Sequence, residues 1–451
     1  MPPLHGFRVS SKVAPRTREA SNFLCGRIGI GIHAATDLPK LQARVTIIGK
    51  AIRQGKAAVR RLILPHPSRV GGPLAPAEPL IVAGMFRTGS GLGRAARACY
   101  EALHTAGLDP QAVDFSEILN QADLPPSVPL RPLDPGQPGT LILFANPPEI
   151  EQALMGLGLR RGQKWRIIGA WAWELAVAPP AWMRQVQFVS EIWAPSQFVA
   201  QAFAAAYPCP VHNVPHYVSV PPEPPRPLAG IAHDLRVLIS ADGRSSLERK
   251  NPMLAVRMFQ RAFLNGEAVQ LTIKCRNLSL FPSYENALRC AALADPRIIL
   301  VDSTLTDVEQ DALLGAADIV LSTHRSEGFG LQLAEAMALG KCVIATGWSG
   351  NLEFMSKESS VPLPFRLVRV SDPSGIYTAH VGAEWAEADF EAGVAALQHL
   401  FANPAGRREM GLRARARISE RLGFGAYITA LQSKLPPSPQ QILSAKARFQ
   451  P

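Results

Sequence analysis

The chain has 451 residues, 47% apolar and 18% charged, with a formal net charge of +11. It is too long for one core and too apolar for a disordered chain, so two domains of common size are expected. No apolar run approaches the roughly 18 residues that span a bilayer, and the first residues lack the compact apolar core of a secretory signal.

The positive charge is confined to one end. Residues 1–76 hold 13 Lys plus Arg against Glu19 and Asp37; 47 less 13 and 36 less two both leave 34, so the remainder is neutral. A neutral body argues against nucleic acid as a partner, because such a partner requires a basic face. The six cysteines (Cys25, Cys99, Cys209, Cys275, Cys290, Cys342) are scattered with no C-x-x-C pair. They read as reduced thiols of a cytoplasmic protein, with neither a disulfide framework nor a zinc site.

Residues 1–38 look irregular. Leu41, Val45, Ile48, Ile52, Val59 and Ile63 then share one helical face, with Lys50, Arg53, Lys56, Arg60 and Arg61 opposite. A basic amphipathic helix over 40–64 suits peripheral contact with an anionic membrane, at the inner face of the plasma membrane, or packing on the body of the protein. This basic extension, 1–76, ends in a proline-rich stretch at 65–79.

From residue 80 strands and helices alternate. Strands are expected at Leu80–Phe86, Thr140–Ala145, Arg166–Ala170 and Glu191–Ala194, and helices at Gly91–Ala106 and from Ser196, whose hydroxyl suits an N-cap. Prolines at 221–227 mark a linker over 221–229 between a first domain, 77–220, and a second, 230–435, followed by a tail, 436–451. The alternation restarts with strands at Leu235–Ser240, Val269–Lys274, Arg297–Val301, Ile319–Ser322 and Cys342–Ala345, and helices at Asn251–Phe263, Pro282–Leu293, Asp307–Gly315 and Phe329–Leu339. Two such blocks imply an α/β protein of two Rossmann-like domains facing each other across a cleft, where ligands bind.

The densest motif is Ser326-Glu327-Gly328-Phe329-Gly330-Leu331-Gln332-Leu333-Ala334-Glu335, which follows a strand and opens a helix. Its glycines let backbone approach a ligand closely, and the N–H groups of the first helical turn face a bound anion. Glu335, eight residues after Glu327, is placed to accept two ribose hydroxyls. The second motif runs from Asp242 to Pro252, and Arg244 and Lys250, six residues apart across its loop, suit one diphosphate. There is no D-x-D triplet, which accords with chemistry that needs no metal. The third motif is the glycine turn Arg87-Thr88-Gly89-Ser90-Gly91-Leu92-Gly93-Arg94. It is not the G-x-G-x-x-G dinucleotide fingerprint, although Asp114 lies at a spacing that leaves a nicotinamide site open. The fourth is aromatic: Trp165, Trp171, Trp173, Trp182 and Trp193 fall within 29 residues. Trp165, Trp182 and Trp193 are read as core, while Trp173 and Glu174 at a strand end suit a sugar ring and a hydroxyl.

The glutamate motif, followed by Lys341 to Glu353, resembles the group 1 family of retaining glycosyltransferases with the GT-B fold. The Trp171-Ala172-Trp173-Glu174-Leu175 and Glu191-Ile192-Trp193-Ala194-Pro195-Ser196 strings are similar to a branch of that family in bacterial polysaccharide assembly. The resemblance spans about residues 80–435 and leaves out 1–76. It implies that Glu327 and the backbone of Gly328, Phe329 and Gly330 hold the donor sugar, that Leu331 N–H and Arg244 with Lys250 meet the diphosphate, and that Glu335 holds the ribose. Ser349, Gly350 and Asn351 would form the donor-side wall, and Gly89, Gly91 and Gly93 would face the cleft. No histidine matches the one that relatives place beside the donor sugar.

The resemblance further implies transfer of a hexose from a UDP- or GDP-sugar to a glycan or lipid-linked acceptor, with retention at the anomeric carbon. The leaving phosphate oxygen takes the acceptor proton, and no cofactor or metal is required beyond the nucleotide-sugar substrate. A nucleotide-sugar epimerase or a phosphorylase on the same fold, and a catalytically silent scaffold that binds glycan or membrane, are the alternatives.

Overall fold

The computed structural model describes residues 59–60, 62–67, 79–222, 234–377, 382–432 and 434–435. The expected basic helix before residue 59, most of the linker and the tail after 435 lie outside the described residues. At the helix's described end, Leu64 N donates to Arg60 O at 2.9 Å and the Leu64 side chain is fully buried. Leu64, which neither helical face claimed, is thus the anchor, while Ile63 is exposed.

The first lobe runs β1 (Leu80–Gly84), α1 (Gly91–Thr105), β2 (Gln111–Asp114), β3 (Thr140–Phe144), α2 (Pro147–Gly156), β4 (Arg166–Ala170), β5 (Glu191–Ala194), α3 (Gln197–Ala206) and β6 (Val211–Asn213). Its sheet has the order β2-β1-β3-β4-β5-β6, and every pair is parallel. Every residue of β1 and β3 is buried, as a parallel strand covered on both faces requires. Each large apolar side chain so buried stabilises the fold by about 1.5–3 kcal/mol.

The second lobe repeats the plan: β7 (Leu235–Ser240), α4 (Leu247–Lys250), α5 (Pro252–Ala262), β8 (Val269–Cys275), α6 (Pro282–Ala294), β9 (Ile298–Asp302), α7 (Asp307–Ala316), β10 (Ile319–Ser322), α8 (Leu331–Ala338), β11 (Cys342–Thr346) and β12 (Val361–Leu363). The parallel order is β12-β11-β10-β7-β8-β9. Both sheets are α/β layers with a switch in strand order, at β1/β3 and at β7/β10, and ligands bind at the carboxyl ends of strands beside such a switch.

Two later segments cross between the lobes. The antiparallel hairpin β13 (Phe365–Arg369) and β14 (Glu384–Ala388) brings Tyr377 and Trp385 into the first-lobe core with Trp173 and Trp182. After α9 (Phe390–Ala402) and α10 (Pro404–Leu422), the last helix α11 (Phe424–Leu431) returns to the first lobe, where Tyr427 and Leu431 join Cys99 and Ala102. This helix, inside the span to residue 435 expected for the second domain, thus packs on α1 of the first lobe as well as on α10. The apolar face of α11 has the same character whichever lobe it covers, so sequence pattern could not choose between them. Among the described residues, no helix is long and apolar enough to cross a membrane.

Candidate functional site

The site gathers where the loops after β7 and β10 leave adjacent strands. The β7 loop makes a 3-10 turn at Gly243–Ser245, and then α4 for only four residues. Ser246 enters α4 at φ 62° and its hydroxyl accepts from Arg249 N at 3.2 Å; Asn251, left-handed at φ 51°, ends the helix before Pro252. The short helix turns Arg249 inward, where it is 2% exposed, and leaves Lys250 half-buried beside it.

Glu327 lies between these two cations. Lys250 Nζ stands 2.5 Å from Glu327 Oε1, and Arg249 Nη1 stands 3.1 Å from Glu327 Oε2. Burial alone would raise the Glu327 pKa, but Lys250 and Arg249 outweigh it and hold the group down to about 2. Arg249 was not singled out from sequence. The run Glu248-Arg249-Lys250 offered three charges, and only the abrupt end of α4 decides which of them turns in. Arg244 is exposed at the cavity rim, with its N–H bonded to Asp242 Oδ1 at 3.0 Å.

A second layer braces the Glu327 loop. Ser349 Oγ accepts from Glu327 N at 2.8 Å, and Gly350 N donates to Glu327 O at 2.9 Å. Any side chain at Gly350 would meet Gly328 O at 2.1 Å, which explains the glycine. Asn351 Oδ1 lies 3.1 Å from Nε2 of His324, a buried ring whose pKa burial lowers to about 4. Gly330, at φ +88°, precedes α8, and no side chain caps that helix. Leu333 N turns back to Gly330 O at 2.9 Å, which leaves the N–H groups of Leu331 and Gln332, two residues that line the cavity, without a hydrogen-bond partner among the described residues. Glu335, one turn further, is buried; its Oε1 accepts from Arg94 Nε of the first lobe. Burial pushes the Glu335 carboxyl up to about 7 against the pull of Arg94, and among the described residues its Oε2 has no hydrogen-bond partner.

The first lobe supplies the opposite wall. Ser90 caps α1, its hydroxyl accepting from Gly93 N at 3.1 Å, and Gly89 N donates to Asp123 Oδ1 at 3.0 Å. Arg97 binds Asp307 of α7 at 2.6 and 2.7 Å, and Arg276 Nη1 binds Asp123 Oδ2 at 3.1 Å, so charge pairs join the lobes around the cavity. Trp173 is buried, its Nε1 donating to Val177 O at 2.8 Å. Its backbone lies so close to Gly328 that a Cβ there would meet Trp173 O at 2.9 Å. Glu174 accepts from Tyr377 Oη at 2.9 Å. His216 lies edge-on to Phe329 at 4.9 Å, and burial lowers its pKa to about 4. Trp165, Trp182 and Trp193 are buried as expected.

These loops enclose a cavity of about 470 Å³. Of the residues singled out from sequence, Gly89, Gly91, Trp173, Glu174, Arg244, Lys250, Glu327, Gly328, Phe329, Gly330 and Leu331 line it. Gly93, Glu335, Ser349, Gly350 and Asn351 do not; Gly93 is wedged under Met85 O, and the other four stand behind the wall. Arg249, Arg276 and Tyr377 line it without having been foreseen, and Arg94, the last residue of the first-lobe glycine motif, lines it too. Tyr377 carried no local signal, since its partner Glu174 is 203 positions away.

Residues 237–381 match the family model described as Glycosyl transferases group 1. The fold is similar to that of Anabaena HepE solved with UDP and glucose (TM-score 0.55, 13% identity, 82% of this chain and 99% of that one). It is also similar to sucrose-phosphate synthase of Thermosynechococcus elongatus (TM-score 0.57, 16% identity, 82% of this chain and 100% of that one). S. aureus TarM, solved with UDP and alpha-GlcNAc-glycerol, matches over 65% of this chain and 55% of its own at 11% identity (TM-score 0.49), so this chain spans about half of TarM. No curated protein matches the sequence.

Proposed function

We propose, from the match of residues 237–381 to the group 1 glycosyltransferase model and from the two-lobed fold shared with HepE and sucrose-phosphate synthase, that the protein transfers a hexose from a UDP- or GDP-sugar to a glycan or lipid-linked acceptor in surface polysaccharide assembly, with retention of anomeric configuration. The observation that carries the reading is the ionised Glu327, paired with Arg249 and Lys250, beside the N-terminus of α8, which no side chain caps, in one half-open cavity.

In this reading the donor diphosphate lies against the α8 N-terminus, with Lys250 and Arg244 reaching its oxygens. Cations and N–H dipoles already in place stabilise the charge that develops as the sugar departs, which takes the role a metal would have. Glu327 and the Gly328–Gly330 backbone hold the sugar hydroxyls. Glu335 stands behind the wall with Arg94 on its Oε1, so it reaches a ribose hydroxyl only when that pair parts as the donor enters. His216 and His324 are neutral near pH 7 and do not serve as cations. The acceptor enters along Gly89, Gly91 and Trp173. Its hydroxyl attacks the face from which the phosphate leaves, and the leaving oxygen takes the proton, so no side-chain base is needed.

The test is product analysis. The protein is incubated with UDP- and GDP-hexoses and a panel of glycan and lipid-linked acceptors, and the products are read by chromatography and proton NMR. The expected result is release of nucleoside diphosphate together with a glycoside of the donor's own anomeric configuration. An inverted glycoside contradicts the stereochemistry; interconversion of free nucleotide sugars with no acceptor consumed points to an epimerase instead.

A further inference from the structure

The hairpin β13–β14 reaches the cavity at its turn end, where Ile376 and Tyr377 line the wall. Asp372 fixes that approach. Its carboxylate accepts from Ile376 N at 3.0 Å and Tyr377 N at 3.2 Å, and from Ser246 Oγ at 2.8 Å. One buried acid thus ties the Tyr377 segment to the cap of the helix that carries Arg249 and Lys250. The Tyr377 ring is 2% exposed and packs at 5.3 Å from Trp173 and 6.0 Å from Trp385.

Its hydroxyl ends on Glu174 Oε2 at 2.9 Å. The other oxygen of Glu174 stands 3.9 Å from Arg249 Nη2, and the opposite nitrogen of the same guanidinium meets Glu327. Arg249 therefore separates two carboxylates, one from each lobe, at one end of the cavity. Burial keeps Tyr377 far above the usual tyrosine range, so it is a neutral donor at every physiological pH. A carboxylate offers about four lone-pair directions. Tyr377 takes one, Arg249 at 3.9 Å attracts the charge without a hydrogen bond, and the Glu174 side chain is still 22% exposed. The remaining directions accept only from donors, and a sugar hydroxyl is such a donor.

Taking the cavity as the nucleotide-sugar site, we propose that Tyr377 is a positioning residue that aims Glu174 at one hydroxyl of the donor sugar, and that this pair sets which hexose epimer the protein accepts. A site built to bond a hydroxyl discriminates strongly against the epimer that turns it away, because the buried acceptor is then left unpaired. Tyr377 acts through Glu174, and the nucleoside diphosphate, held further along the cavity, does not feel it.

The experiment measures calorimetric affinities of the full chain for UDP-glucose, UDP-galactose, GDP-glucose, GDP-mannose, UDP and GDP. The proteins are wild type, Tyr377→Phe, Glu174→Gln and the double variant. Tyr377→Phe keeps the ring and its packing and removes one donor. It is expected to weaken the preferred nucleotide sugar about tenfold, to narrow the ratio between that sugar and its epimer, and to leave UDP or GDP within about twofold. Glu174→Gln, which needs no core change, is expected to do the same, and the double variant to be no worse than Glu174→Gln alone.

An unchanged epimer ratio in Tyr377→Phe overturns the inference. So does an equal loss for the free nucleoside diphosphate, or additive effects in the double variant. If Tyr377→Phe does not fold, Glu174→Gln alone decides through the same ratio. Should wild type bind none of the six compounds, the reading of the cavity itself falls, before any variant enters.

Discussion

Two strand–glycine–helix turns face the same cavity, one from each lobe, and they are finished differently. In the first lobe the Ser90 hydroxyl takes Gly93 N and Gly93 is wedged under Met85 O, so a side chain closes the third N–H of α1 and the turn packs against the strand. In the second lobe Gly330 stands at the cap position of α8 with φ +88° and contributes no side chain, so Leu333 N turns back to Gly330 O at 2.9 Å and the N–H groups of Leu331 and Gln332 stay open with no side chain over them. Similar sequence, glycine-rich after an apolar run, is therefore closed by a hydroxyl in one lobe and by a backbone carbonyl in the other. The residue at the cap makes the difference: a serine sets its hydroxyl over the first turn, and a glycine leaves that space to a ligand.

That contrast can be broken most severely at the cations beside the open turn. Lys250→Ala leaves Glu327 with Arg249 alone and removes a charge from the proposed diphosphate site. A loss of about a hundredfold or more in kcat/KM is expected, as for removal of one preorganised group from a developing anion. Steady-state release of nucleoside diphosphate measures it, and near-wild-type kinetics would contradict the role.

A second expectation concerns acid. Glu327 has a folded pKa of about 2, below its ordinary 4.5. Its ionised form therefore stabilises the fold above about pH 4.5, and that contribution is lost as pH falls toward about 2. Glu327→Gln should flatten the fall in melting temperature over this window while leaving other acid-sensitive groups in place. An unchanged slope would mean that the carboxylate is not held as described.

Smaller effects sharpen the comparison of the two turns. Gly330→Ala forces a side chain into the left-handed region and should cost about 1–2 kcal/mol of stability. Gly91→Ala, where an added Cβ meets nothing within 4 Å, should be neutral within about 0.5 kcal/mol. Urea melts of the two variants give both numbers. Ser90→Ala removes the cap of α1 and should cost about 1 kcal/mol, with the affinity for a nucleoside diphosphate unaltered. A strong loss of that affinity would mean the first turn also binds the anion.

Much of the fold was legible because its signals are local. Arg166–Ala170, Glu191–Ala194, Leu235–Ser240 and Ile319–Ser322 are apolar runs bounded by turn residues, and all four form strands at those limits. The glutamate loop was legible for the same reason: strand, glycines, carboxylate and helix are contiguous. What escaped was non-local or disguised. The strand Val211–Asn213 has three residues, and Phe365–Arg369 is exposed along most of its length and carries two arginines, so neither reads as a core strand. Arg94 finds Glu335 across 241 positions, a pairing that no periodicity encodes. Arg249 carries no local signal either, since its burial rests on the Ser326 carbonyl and on two carboxylates, all distant in the chain.

The most direct measurement is calorimetric titration of wild type and Lys250→Ala with UDP- and GDP-hexoses. Saturable binding of at least one of them at one site per chain, weakened about a hundredfold or more in Lys250→Ala, is the result predicted by the paired Glu327 and the open end of α8. Equal affinity in the two proteins, or no binding of any nucleotide sugar to the folded wild type, would contradict it.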